Sequence, residues 1–112
     1  GDAIKEWIAL WDLFPFGITP FDGQEDFPYS IPMAIVFGIE PDLALDAENL
    51  AFNVSVMMGT ETLYSTKTHQ TEIETALLLE PGCDFTLEIV PVSLPDTEGT
   101  PTAINFSTSP LE

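Results

Sequence analysis

The chain is poor in positive charge: Lys5 and Lys67 are its only basic side chains apart from His69, there is no arginine, and nineteen acids bring the formal charge to −17. A surface this negative repels DNA, RNA and anionic membranes, which excludes nucleic-acid binding and electrostatic attachment to lipid. Cysteine is equally scarce. Cys83 stands alone, which rules out an internal disulfide, a paired-cysteine metal site and a thioredoxin-type motif. Long apolar runs are also missing: Asp, Glu, Pro or Gly interrupts every stretch well short of the roughly 20 residues a spanning helix needs, so no membrane insertion is expected. With a single histidine, nucleophile-and-base catalysis has only one imidazole to draw on, and "STKTHQTE" reads as a polar stretch between strands carrying a solvated His69. Close carboxylate pairs arise by chance among nineteen acids and carry no signal for acid–base chemistry.

What the chain does have is apolar content, 45% of 112 residues, enough for one modest core; high charge here decorates a folded body rather than signalling disorder. From Ser30 onward the apolar residues recur every second position. "IPMAIVFGIE" puts Ile31, Met33, Ile35, Phe37 and Ile39 on one face, and "LAFNVSVMM" does the same for Leu50, Phe52, Val54, Val56 and Met58, leaving Ala51, Asn53, Ser55 and Met57 opposite. "TLYST" is a short third candidate. "TEIETALLL" alternates Ile73, Thr75, Leu77 and Leu79 against Glu72, Glu74, Ala76 and Leu78. "DFTLEIVPVS" turns Phe85, Leu87 and Ile89 inward, and "TAINFST" turns Ile104 and Phe106 inward. Turn chemistry separates these runs: "EPD", "MGT", "EPG" and "DTEGTP". The pattern predicts an all-β, antiparallel fold of six or so short strands, a sandwich or a barrel.

The first 28 residues behave differently. "DAIKEWIALWDLFPF" fits a short helix from Asp2 to the stop at Pro15, and fits an extra strand almost as well; "GITPFDGQEDFPY" reads as an acidic loop. The expected organisation is an N-terminal aromatic segment and acidic loop over residues 1–28, a sandwich over 29–110, and a cloning remnant at 111–112.

Residues 79–85, "LEPGCDF", have the form Leu-x-Pro-Gly-x-x-aromatic, in which Pro presets φ at the first corner and Gly accepts the positive φ that reverses the chain. This resembles the turn from the fifth to the sixth strand of fibronectin type III modules and related immunoglobulin-like sandwiches. The resemblance spans roughly Tyr29 to Pro110, with the other runs falling in the family's strand order, and implies an antiparallel two-sheet β-sandwich of about seven strands. Phe37 stands where the family has tryptophan in its second strand, and Phe52 where it has tyrosine in its third. Phe85 replaces the corner tyrosine, so one corner hydrogen bond is expected to be lost.

The resemblance also implies an acidic pole. Glu40, Asp42, Asp46 and Glu48 in the second-to-third loop, with Asp96 and Glu98 in the last hairpin, would share one end of the sandwich beside Lys67 and His69. That pole could take Ca²⁺, as hard cations want several oxygens, or a basic partner; neither "DLALDAEN" nor "DGQED" has the order of an EF-hand loop, which favours solvated loops, and no other cofactor is expected. Trp7, Trp11, Phe14 and Phe16 form the densest aromatic patch, a candidate platform for a sugar or a protein, or a cover for one edge of the sandwich. "NVS" at Asn53 and "NFS" at Asn105 match the glycosylation acceptor pattern, both on outward positions.

The function these features imply is a non-enzymatic, extracellular or cell-surface binding or spacer module of a longer protein, whose partner is a protein, a glycan or a neighbouring domain. With two basic residues the chain offers trypsin-like proteases only two cleavage positions, which suits that setting. The alternatives are a carbohydrate-binding accessory module using the N-terminal aromatics, or a structural subunit that docks through the N-terminal segment.

Overall fold

A computed structural model describes residues 15–39, 50–93 and 97–110. Within them the protein is all-β, built as two antiparallel sheets. β1 (Phe16–Thr19), β2 (Ala34–Gly38) and β5 (Glu72–Glu74) form one, in the order β1-β2-β5. The other has the order β4-β3-β6, from β4 (Glu61–Thr68), β3 (Leu50–Met58) and β6 (Asp84–Ser93). The free side of β6 is shared by β8 (Thr102–Ser107) and the two-residue β7 (Thr97–Glu98). Pro91 falls where that side passes from β8 to β7: β8 pairs as far as Ile89, and β7 begins at Val92. A proline has no N–H to give a ladder, so the break sits where it costs least.

The period-two pattern decides which faces meet. Met33, Ile35 and Phe37 from one sheet and Phe52, Val54 and Val56 from the other are buried between them, closed by Leu87, Ile89, Ile104 and Phe106. Two of the three positions that depart from the resembling family touch: Phe37 and Phe52 meet edge to face across the sandwich at 5.0 Å and 77°, a favoured aromatic geometry. Phe106 is stacked on Phe85 at 5.4 Å and takes Phe27 edge-on at 5.2 Å.

Several expectations change. The strand read over "TEIETALLL" is shorter, β5 ending at Glu74. Ile31 is exposed rather than inward. The third candidate strand extends to Glu61–Thr68, so Lys67 lies within β4 and not in a stretch between strands. Residues 16–19, read as the end of the aromatic segment and the start of a loop, are a strand paired with β2, with a register irregularity between Phe16 and Thr19. Ala51, Val90 and Val92 face away from the core by alternation yet are buried, Ala51 directly opposite Val92.

The registers define two poles. β1 begins opposite Gly38, and Phe37 N–H bonds to the Thr71 carbonyl at the β4–β5 connection; His69 in that connection bonds to Leu50, which pairs with Ser93. This is the upper pole. Met57 pairs with Thr86 and Asp84 with Ser107, so Gly59, the "EPG" turn and the end of β8 form the lower pole. Among the described residues, the first strand starts at one pole and the last stops at the other.

Candidate functional site

Of the candidate residues, Trp7, Trp11, Phe14, Glu40, Asp42, Asp46, Glu48 and Asp96 lie outside the described residues. Phe16 opens β1 and is 54% exposed, its ring resting over Gly38, where an added Cβ would come within 2.8 Å of it. Glu98 is exposed in β7 opposite Val92, at the upper pole. His69 shares that pole, exposed, with Nδ1 donating to the Leu50 carbonyl at 2.8 Å. That bond fixes the ring at the start of β3. Among the described residues no three His, Cys, Asp or Glu side chains are grouped to hold a metal ion. Asn53 is half-buried on β3 between Lys67 and Val90, and Asn105 is exposed on β8.

A concavity of about 470 Å³ lies elsewhere, at the lower pole, between the turn at residues 23–25, Gly59 and the outer faces of β6 and β8. Alternation supplies its floor. Asp84 pairs with Ser107 and Thr86 with Asn105, so two cross-strand pairs of short polar side chains lie side by side. Thr86 Oγ1 donates to Asn105 Oδ1 at 2.9 Å. The wall is tied to the floor by the backbone: Gly23 N–H donates to the Asn105 carbonyl at 2.8 Å and Ser107 N–H to the Gln24 carbonyl at 2.7 Å. Asp22 Oδ1 accepts from Asn105 N–H at 2.9 Å. Gly23 (φ 88) and Gly59 (φ 65) sit in the left-handed region that glycine tolerates, and a Cβ on either would meet nothing within 4 Å. The sequence signals present were the glycine-bearing "DGQED" and the polar positions of "DFT" and "INFS"; their convergence depends on the pairing of residues 22–27 with β8.

No protein-family model matches the sequence, and no curated protein matches it. Among solved structures, the chain is similar to the Bacteroides ovatus mixed-linkage glucan utilization locus protein SGBP-B, determined in complex with a mixed-linkage heptasaccharide. The likeness has a TM-score of 0.52 at 15% identity and covers 89% of this chain and 24% of that one. This is a likeness of fold: a β-sandwich. The chain spans about a quarter of the length of that protein. Among the described residues no helix is long and apolar enough to cross a membrane.

Proposed function

We propose that the chain is a non-catalytic, fibronectin-III-like module of a longer extracellular or cell-surface protein, serving as a spacer and contact surface. The observation that carries this reading is the course of the chain from pole to pole, β1 beginning beside Gly38 and β8 ending beside Asp84. Domain termini often lie close together, which suits insertion into another domain. Opposite poles suit end-to-end stringing, where each module adds its length to the reach of the next. The strand order β1-β2-β5 against β4-β3-β6-β8 and the "EPG" corner support the fibronectin-III-like assignment. The negative surface supports an extracellular setting by keeping the module soluble and off anionic lipid.

The test is energy transfer between donor and acceptor proteins fused to the two ends of the chain. A spacer of nine-residue strands holds them apart by an extra distance on the order of 30 Å, at about 3.4 Å per residue, relative to a direct fusion. Efficiency equal to that of the direct fusion removes the reading.

A second reading, carbohydrate binding, is favoured by the fold likeness to a protein solved with a heptasaccharide. The candidates from the sequence for that contact are Trp7, Trp11, Phe14 and Phe16. Retardation of the chain in gels cast with mixed-linkage glucan, against a gel without polysaccharide, tests it; equal mobility in both removes it.

A further inference from the structure

We propose that the lower-pole concavity between residues 23–25, Gly59 and the outer faces of β6 and β8 is a saccharide subsite that binds a short, neutral, hydroxyl-rich ligand edge-on through Asn105, Thr86, Asp84 and Glu25. The proposal rests on the carbohydrate-binding reading and gives it a location on the outer faces of β6 and β8.

The size is right for such a site: about 470 Å³, within the ~300–1,000 Å³ of small-molecule pockets. The polar groups are held before any ligand arrives. Asn105 has its side-chain oxygen engaged by Thr86 Oγ1 and its backbone N–H by Asp22. Its Nδ2 amide has no partner among the described residues and remains a double donor at the floor. Asp84 and Glu25, both exposed, supply acceptor-only carboxylates, and Ser107 supplies a hydroxyl. Asp22 Oδ1 already accepts from the Asn105 N–H. Fixed donors beside fixed acceptors are what vicinal hydroxyls need, since each hydroxyl both donates and accepts.

The same groups reject other ligands. Anions meet Asp84 and Glu25 within a molecule of charge −17. Metal ions find no grouping of three ligands here among the described residues. A cationic amine is drawn by the carboxylates but offers no acceptor to the Asn105 amide, whereas a hydroxyl does. The two backbone bonds between the turn and β8 keep the wall in place, so little ordering cost falls on the ligand.

The test is titration of the full ¹⁵N-labelled chain with the mixed-linkage heptasaccharide, with maltoheptaose and with spermidine, read by amide and side-chain chemical shifts. The expected result is saccharide-dependent shifts at the Asn105 side-chain NH₂, Thr86, Gly23 and Gly59, persisting in about 0.5 M NaCl where charge attraction is screened. Asn105→Asp, which keeps the shape and removes the donors, should weaken binding about tenfold. Thr86→Val, which frees the amide oxygen from its tether, should weaken it less. Saccharide shifts centred on the Trp7 and Trp11 indoles, with affinity unchanged by Asn105→Asp, overturn the subsite and leave the carbohydrate-binding reading standing. No shift with either saccharide overturns both. Shifts at Asn105 with spermidine alone, abolished by salt, overturn the saccharide assignment in favour of a cationic ligand.

Discussion

Phe85 occupies the corner position where the resembling family carries a tyrosine hydroxyl, and the corner is nevertheless closed. Thr108, buried after β8, donates its hydroxyl to the Glu80 carbonyl at 2.6 Å and accepts from Cys83 N–H at 3.2 Å, while its own N–H reaches the Cys83 carbonyl at 3.1 Å. One threonine thus spans both sides of the "EPG" turn. Thr108→Val retains the shape and removes the hydroxyl, leaving two backbone groups short of partners; it should cost roughly 2 kcal/mol, measured by urea unfolding. Phe85→Tyr should bring no gain while Thr108 is present, since Glu80 and Cys83 are already engaged. Thr75 plays the equivalent part in the other sheet, donating to the Met33 carbonyl at 2.8 Å and accepting from Leu77 N–H at 3.0 Å. Both threonines could be read from the sequence as strand residues. Their roles could not, because Thr108 acts 28 residues from Glu80 and Thr75 acts 42 from Met33.

At the scale of elements, β2, β3, β6 and β8 were legible because each alternates on a face that the core then buries. β1 was not. Its four residues "FGIT" include Gly17 at φ 58, its register with β2 is irregular, and Pro20 follows it, so the local composition reads as loop until β2 supplies a partner. Residues 22–27 were hidden for the same reason: they run beside β8 in parallel, ending in the Phe27–Thr108 bridge. This pairing covers the outer edge of β8, which would otherwise present free backbone groups. Removing the side-chain part of it by Asp22→Ala should accelerate hydrogen exchange at the Asn105 amide and cost about 1 kcal/mol. At the "EPG" turn, Gly82 holds φ 65 and donates to the Ser109 carbonyl at 2.9 Å. Gly82→Ala should destabilise by about 1–2 kcal/mol through the left-handed backbone alone, checked by thermal unfolding.

For the whole molecule, charge sets the response to salt. Nineteen acids against two lysines repel one another across one small body, so NaCl at neutral pH should raise the unfolding midpoint until the Debye length falls below the spacing of the charges. CaCl₂ at matched ionic strength should raise it equally if the acidic loops are only solvated; a further rise would point to a cation held by the candidates Glu40, Asp42, Asp46, Glu48, Asp96 and Glu98, as ligand linkage requires. Composition and periodicity alone determined that the chain repels polyanions, forms no internal disulfide and folds as antiparallel strands in a sandwich or a barrel, because charge sums and period-two burial are local properties of the residues. The tertiary structure decided that Thr108 closes the corner, that residues 22–27 edge β8, and that Gly23, Gly59, Thr86 and Asn105 surround one concavity. Those are pairings between distant segments, and the alternation along any one segment carries no information about which other segment lies beside it.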